Sequence, residues 1–465
     1  MKKTAIHWFR QDLRLTDNPA LSNASLADET LPIYIFDDNY PIGRASKLWL
    51  YNSLLSLNSS LNNNLSLYKG NPFEIIKKLI TENNITDFYW NRTYDKFSIA
   101  RDTKIKKLIE DNNISVKSYN GSLLLEPWEC IKDDGTHYKV YTPFYKALMR
   151  IRPYRSTIAK PNFNKLTKFK DSVDLENLKL LKLPLSWEGI IKQWQVGEDA
   201  AVDKLENFLN EKVPRYKKSR DFMCENATST LSPHLHFGEI SPNQVFNAVY
   251  SLDSISENEE HFIKELAWRD FSYYQMYYYP DLSTKNINPK FDNFEWQNNT
   301  DLLKAWQIGK TGIPIVDAGM RELWQTGYIH NRVRMIVASF LIKNCLVDWR
   351  KGEAWFFDTL FDADIASNNA SWQWVAGCGL DAAPYFRIFN PVLQSDKFNA
   401  AEYIRRFVPE LKNLSNKYIS KPWEAKLDIL EEASVKLGVD YPKAIVNLKA
   451  SREKALALHK KLSYY

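Results

Sequence analysis

The chain has 465 residues, 44% of them hydrophobic and 25% charged, with a formal net charge of +6. That length supports two or three domains with a sizeable core, and no apolar run approaches a membrane span. Four cysteines without a C-x-x-C pair argue against a zinc or disulfide framework, and the N-terminus lacks the apolar region of a secretory signal. A reducing cytoplasm is the expected setting. The mild positive charge permits nucleic-acid binding without pointing to it.

The first third alternates strand and helix patterns. Buried strands are predicted at 5–9, 31–36, 66–68, 87–90 and 114–117, with helices near 44–62, 72–83 and 97–112. Such alternation implies a Rossmann-like α/β domain over 1–125, a parallel sheet covered by helices. No G-x-G-x-x-G follows the first strand, so a dinucleotide site of the usual kind is not expected. Residues 126–200 are irregular, rich in Lys and punctuated by Pro143, Pro153, Pro161 and Pro184. They are predicted to form an interdomain linker. From 201 to 465 the pattern is helical, and an all-α domain is expected. Gly309-Lys310-Thr311 resembles the end of a P-loop, but Lys304 stands where the first glycine belongs, which rules the motif out.

Aromatic content is the anomaly: 15 Trp and 25 Tyr, with 11 of the Trp after residue 185. A large aromatic core accounts for many of these rings. It does not explain why they lie among Arg, Asn and Asp, each of which needs a partner once buried. Three helical segments carry such mixed faces. Glu265, Trp268, Arg269 and Ser272 fall at i, i+3, i+4 and i+7. Asn331, Arg334 and Met335 fall at i, i+3 and i+4. Asp364, Asn368 and Trp372 are spaced by four. Each set shares one side of its helix. Taken singly, each is explained by interhelical salt bridges, for instance Arg334 with Asp362; together they could surround a flat polar ligand. His234 and His236 form a His-x-His pair without further ligands nearby, so no metal is expected.

Several strings carry a family resemblance. They are His7-Trp8-Phe9-Arg10-Gln11-Asp12-Leu13-Arg14-Leu15, His330-Asn331-Arg332-Val333-Arg334-Met335, Asp348-Trp349-Arg350-Lys351-Gly352-Glu353, Asp362 to Trp374, and Asp381-Ala382-Ala383-Pro384-Tyr385-Phe386-Arg387. The chain resembles the photolyase/cryptochrome family in register as far as Asp440-Tyr441-Pro442, and is most similar to bacterial class I cyclobutane pyrimidine dimer photolyases. The resemblance implies an FAD cofactor. Tyr216, Thr228, Ser229, Leu231 and Ser232 match the loop that holds its phosphates and ribityl chain, and Arg269 a further contact. Arg334 and Asp362 match an ion pair beside the isoalloxazine. Asp364 matches a carboxylate at its polar edge, and Asn368 the residue facing N5. For the lesion, Glu265 and Asn331 match polar contacts, Trp268 and Trp374 apolar walls, and Met335 the pocket base. Arg220, Arg332 and Arg387 match phosphate contacts around it. Trp296, Trp349 and Trp372 match an electron-transfer chain.

The implied activity is light-driven repair of DNA containing pyrimidine dimers, by a monomer without membrane or metal. The alternative is a cryptochrome-type photoreceptor signalling through partners. A (6-4) photolyase is disfavoured, because it would carry histidines where Asn331 and Met335 stand. One departure concerns a second, antenna chromophore. Folate-binding relatives carry an Asn-Glu pair where this chain has Phe97 and Ser98. Folate is therefore disfavoured, and a deazaflavin, another chromophore or an empty site stay open.

Overall fold

The computed structural model describes residues 2–151, 155–182, 184, 187, 189–383 and 386–462; Pro153, Pro384 and Tyr385 lie outside the described residues. Two compact units emerge. The first comprises Met1–Pro214, Ser229–Pro280 and Phe361–Ala366, and the second Arg215–Thr228, Asp281–Leu360 and Ser367–Tyr465.

In the first unit, β1 (Thr4–Phe9), β2 (Glu29–Phe36), β3 (Ser66–Lys69), β4 (Asp87–Asn91) and β5 (Ser115–Tyr119) form a parallel sheet in the order β3-β2-β1-β4-β5. Trp8 in central β1 stands opposite Ile33 of β2 and Trp90 of β4. Both faces of β1 are buried, which is why its sequence reads as a continuous apolar run. Between the strands lie α1 (Pro19–Ala24), α2 (Arg44–Ser60), α3 (Pro72–Glu82) and α4 (Lys96–Asp111). Asn18, Asn71 and Asp95 cap α1, α3 and α4 through their side chains. Ile76, Ile105 and Ile109 pack from α3 and α4 onto Ile6, Ile33 and Phe88 of the sheet. The five strands and the three longer helices agree with the sequence pattern; the short α1 was not anticipated.

The stretch read as irregular contains a helix, α5 (Tyr141–Ile151). Its Pro143 misled the reading. A proline in the first turn removes an N–H that has no helical partner anyway, and Tyr141, Phe144, Ala147 and Leu148 then make one buried face. The same unit holds α6 (Glu198–Asn207), α7 (Ser232–Phe237) and the 22-residue α8 (Glu257–Tyr278). A Ser256–Glu259 capping box starts α8.

The second unit is helical. It includes α9 (Pro314–Thr326), α10 (Asn331–Ser339) continuing into a π-helical turn (Phe340–Asn344), α11 (Trp349–Thr359) and the bulk of α12 (Ile365–Ala376). Later comes α13 (Leu448–Lys461). Gly327, at φ 68°, ends α9 in the left-handed conformation that glycine adopts without strain. Asp348 caps α11 by accepting from the Arg350 N–H. Among the described residues no helix is long and apolar enough to cross a membrane.

Candidate functional site

In the first unit, one face of α8 carries Glu265, Trp268 and Arg269, all half-buried, while Ile263, Leu266, Ala267 and Phe271 on the other side are fully buried. Trp268 stacks flat on Tyr141 of α5, with ring centroids 3.7 Å apart and planes 6° from parallel. The predicted apolar wall therefore has a second ring behind it, supplied by the segment read as a linker. Arg269 donates to the Ser122 carbonyl at 2.7 Å and lies over Tyr273 at 4.8 Å. Ser272, the fourth residue of that predicted face, bonds back to the Trp268 carbonyl.

Tyr273 in turn donates its hydroxyl to Asp364. His236 Nδ1 lies 3.7 Å from the same carboxylate, an ion-pair rather than a hydrogen-bonding distance. Burial opposes ionisation of Asp364. His236, Arg269 and the Tyr273 hydroxyl outweigh it and hold the carboxyl well below the usual range. His236 Nδ1 is buried and forms no hydrogen bond within the described structure. Its neighbour His234 instead pairs with Glu239, which also accepts from Trp49. The His-x-His string is thus split between a core hydrogen bond to Glu239 and the Asp364 cluster. Among the described residues no group of three or more His, Cys, Asp or Glu is placed to hold a metal ion.

The loop of Ser229, Leu231 and Ser232 adjoins this cluster in sequence. Ser232 donates to Asp362. Thr230 sits at φ 52°, a left-handed conformation that a β-branched residue adopts only under strain. Its hydroxyl accepts from Lys204 of α6 at 3.3 Å. Lys204 was not anticipated: one exposed-looking lysine among many gives no sequence signal. It brings a cation to a loop that had been expected to manage phosphates with hydroxyls and amides alone.

In the second unit, α10 presents Asn331 exposed and Arg332, Arg334 and Met335 half-buried. His330 caps it, with Nδ1 accepting from the Arg332 N–H. Burial pushes the His330 ring down to about 4, so it is neutral and able to accept. Arg332 pairs with Asp221 at 2.6 Å and lies over Phe398, so its charge is already compensated. Arg334 donates to the Ile329 carbonyl at 2.8 Å. Tyr216 is buried beneath the Arg220 guanidinium, and Thr228 is half-buried on the same segment.

Asn368 of α12 donates its amide hydrogens to Glu353 of α11, to Oε1 at 2.7 Å and to the backbone carbonyl at 3.2 Å. Burial pushes the Glu353 carboxyl up to about 7, against the pull of that hydrogen bond. The carbonyl end of Asn368 is thereby the end left to accept. Glu353 belongs to a string already singled out, yet nothing in its type or spacing marked the pairing.

Trp372 and Trp349 are both buried. They meet the same helix: Trp349 opens α11, and a Cβ on Gly352, one turn later, would stand 2.2 Å from the Trp372 ring. The glycine of the Trp-Arg-x-Gly-Glu string is therefore a recess for that indole. Trp372 also packs edge-on against Trp306 and Phe356. Trp349 donates to Asn286 at 2.9 Å. Trp296, half-buried, packs on Phe294. Just after it, the Gln297 N–H donates to the Leu346 carbonyl and the Asn298 side-chain oxygen accepts from the Asp348 N–H, in the segment leading into α11. Trp374 stacks on Phe389, and the exposed Arg387 lies over Phe389 from its own side.

At the chain's start, Phe97 and Ser98 occupy the first turn of α4. The acid absent from position 98 is not absent from the neighbourhood, since buried Asp95 and Asp37 lie on the flanking loops.

Residues 5–162 match the family described as DNA photolyase, and residues 262–461 match the FAD binding domain of DNA photolyase. A deoxyribodipyrimidine photo-lyase from Agrobacterium fabrum is 46% identical over 98% of both chains. Cryptochrome-2 of Arabidopsis thaliana is 35% identical over 97% of this chain and 78% of that protein. A solved structure described as a bacterial class III photolyase from Agrobacterium tumefaciens superposes with a TM-score of 0.96 and 45% identity, covering 100% of this chain and 98% of that one. The motif resemblance pointed to class I; these matches agree on the family and leave the subtype between classes I and III unassigned. The chain belongs to the DNA photolyase/cryptochrome family and carries that family's FAD-binding domain.

Proposed function

We propose that the protein is an enzyme that repairs cyclobutane pyrimidine dimers in DNA under near-UV or blue light. The observation that carries the reading is the end-to-end match to a photo-lyase, 46% identical over 98% of both chains. The Glu265–Trp268–Arg269 face of α8, backed by Tyr141, supports it.

The residues present suit FAD. An ionised acid, a buried ring nitrogen without a hydrogen bond, and a hydroxylated loop with a lysine beside it offer complementary groups to a polar heterocycle and its phosphates. Thr228, Ser229, Leu231, Ser232 and Tyr216 would hold the phosphates and ribityl chain, with Arg269, Arg334, Asp362, Asp364 and Asn368 around the ring system. When bound, FAD supplies light absorption and a one-electron donor.

The chain's own residues do the remaining work. Arg220 and Arg387 attract DNA phosphates, giving salt-dependent binding with little sequence preference. Arg332 joins them by exchanging Asp221 for phosphate. A crosslinked dimer stacks poorly, so extruding it from the duplex costs less than extruding normal bases. Trp268 and Trp374 pack against its apolar faces, Met335 closes the base, and Glu265 and Asn331 bond its polar edge. Trp372, Trp349 and Trp296 form the route by which electrons reach the cofactor when it is oxidised.

The test is direct. Flavin-loaded, chemically reduced protein is mixed with a dimer-containing oligonucleotide and assayed in light and darkness. Dimer loss in light alone supports the reading. Binding of dimer DNA without repair in light would favour the photoreceptor alternative, which the cryptochrome match supports. An absorption spectrum of the same preparation identifies any second chromophore.

A further inference from the structure

Lys343 lies in the π-helical turn that continues α10, with no solvent exposure, between Ile342 and Asn344. Burying an ammonium is costly unless it is paired, and among the described residues no carboxylate lies within ion-pair distance of it. Its partners are of another kind. Nζ donates to the Arg387 backbone carbonyl at 2.6 Å and sits 4.4 Å from the centre of the Phe386 ring. The ring also stacks on His459 of α13, at 4.3 Å and 12°, and packs against Phe291 and Phe294. Phe386 itself holds φ 50°, a strained left-handed conformation for an aromatic residue. α13 is anchored nearby, where Asn344 donates to Ser451 at 2.8 Å. Burial pushes the Lys343 ammonium down to about 7; the carbonyl and the ring face both favour its charged form.

Lys343 thus holds the Arg387 carbonyl and, with His459, the Phe386 ring, just before the exposed Arg387 side chain that lies over Phe389, the ring on which Trp374 stacks. We propose that Lys343 and His459 are positioning residues for DNA binding, forming a clamp on Phe386 that sets where Arg387 meets a DNA phosphate. The proposal rests on the reading of Arg387 as a phosphate contact. π-Turns inside helices recur at functional positions, and this one joins the helix of Asn331, Arg332 and Met335 to the clamp.

The experiment measures the affinity of flavin-loaded protein for a fluorescent dimer-containing duplex across a salt series. It compares the parent protein, Arg387→Ala, Lys343→Met and the double variant. Arg387→Ala should lower the salt slope by about 1, as loss of one phosphate contact does. Lys343→Met should reproduce that smaller slope, with affinity reduced about tenfold, and the double variant should bind no worse than Arg387→Ala alone. Flavin content and repair at saturating DNA should be unchanged in Lys343→Met. If Lys343→Met does not fold, His459→Leu addresses the clamp from the α13 side and should give the same non-additivity. Weakened binding with an unchanged slope, or additive losses in the double variant, would overturn the proposal. If Arg387→Ala alters neither affinity nor slope, the phosphate reading falls first and takes the clamp with it.

Discussion

Asp364, buried, and Glu353, half-buried, are acids beside residues assigned to the flavin, and their ionisation is shifted in opposite senses. Asp364 faces His236, Arg269 and a tyrosine hydroxyl, and stays charged. Glu353 has the Asn368 amide as its stabilising partner, and burial lifts it to about 7. The contrast shows that burial alone does not decide protonation; the partners do. The charged groups of the candidate site lie around α7 and α8, while on α12 Asn368 meets a carboxyl that burial holds back from ionising and Trp372 meets aromatic rings.

The largest effect should come from breaking the charged side. Asp364→Asn removes the buried anion that His236 and the Tyr273 hydroxyl face, while Arg269 keeps Asp270 at 3.6 Å, and removing one partner of a buried pair costs about 3–5 kcal/mol. The variant should melt well below the parent and lose its flavin on gel filtration, followed by the ratio of flavin to protein absorbance. Full flavin retention with unchanged melting would remove Asp364 from the cofactor site.

On the neutral side, Trp372→Phe should stop photoreduction of the oxidised flavin while sparing repair by protein reduced chemically beforehand. A phenyl ring fits the space but is much harder to oxidise than indole. Flavin bleaching under blue light with an external thiol reads the first property, and dimer loss the second. Normal bleaching would mean that electrons travel elsewhere.

Glu265→Ala returns to α8. Losing a hydrogen bond to a charged group costs about 1.5–3 kcal/mol, so lesion affinity should fall roughly ten- to hundredfold, with flavin content kept. Equal affinity and equal repair would make Glu265 a structural residue.

The smallest effect sharpens the comparison by pH. The folded protein holds the Glu353 proton up to about 7, whereas the unfolded chain releases it near 4.5. Between those values the native state binds more protons, so stability falls as pH rises and levels off above the folded value. Glu322, lifted to about 7 by burial despite its hydrogen bond from Tyr403, adds to the same trend. His330, pushed down to about 4, acts in the opposite sense over much of this range, so the Glu353 share is read as a difference: the parent's melting temperature should fall relative to that of Glu353→Gln as pH rises from about 5 to about 7. An equal slope in both proteins would place the Glu353 proton elsewhere.

Much of this was legible beforehand. The strands of the sheet were, because buried parallel strands are continuous apolar runs bounded by breakers. So were the faces of α8, α10 and α12, because helical spacing survives in sequence. Residues acting across long separations were not. Tyr141 backs Trp268 from 127 positions away, and its helix was hidden by Pro143. Lys204 reaches Thr230 from another helix. Lys343 finds its partner, the Arg387 carbonyl, 44 positions away. These depend on which surfaces the fold brings together, and periodicity carries no record of that.

The recess at Gly352 has a kinetic consequence. An indole seated against bare helix backbone has no room to swing, so every molecule in a sample presents Trp372 in the same pose. Electron transfer depends steeply on distance and orientation, and a ring with several rotamers would spread its rates into a stretched decay. With the ring keyed into α11, the step involving Trp372 should follow a single exponential, and widening the fit rather than deepening the driving force is what would blur it.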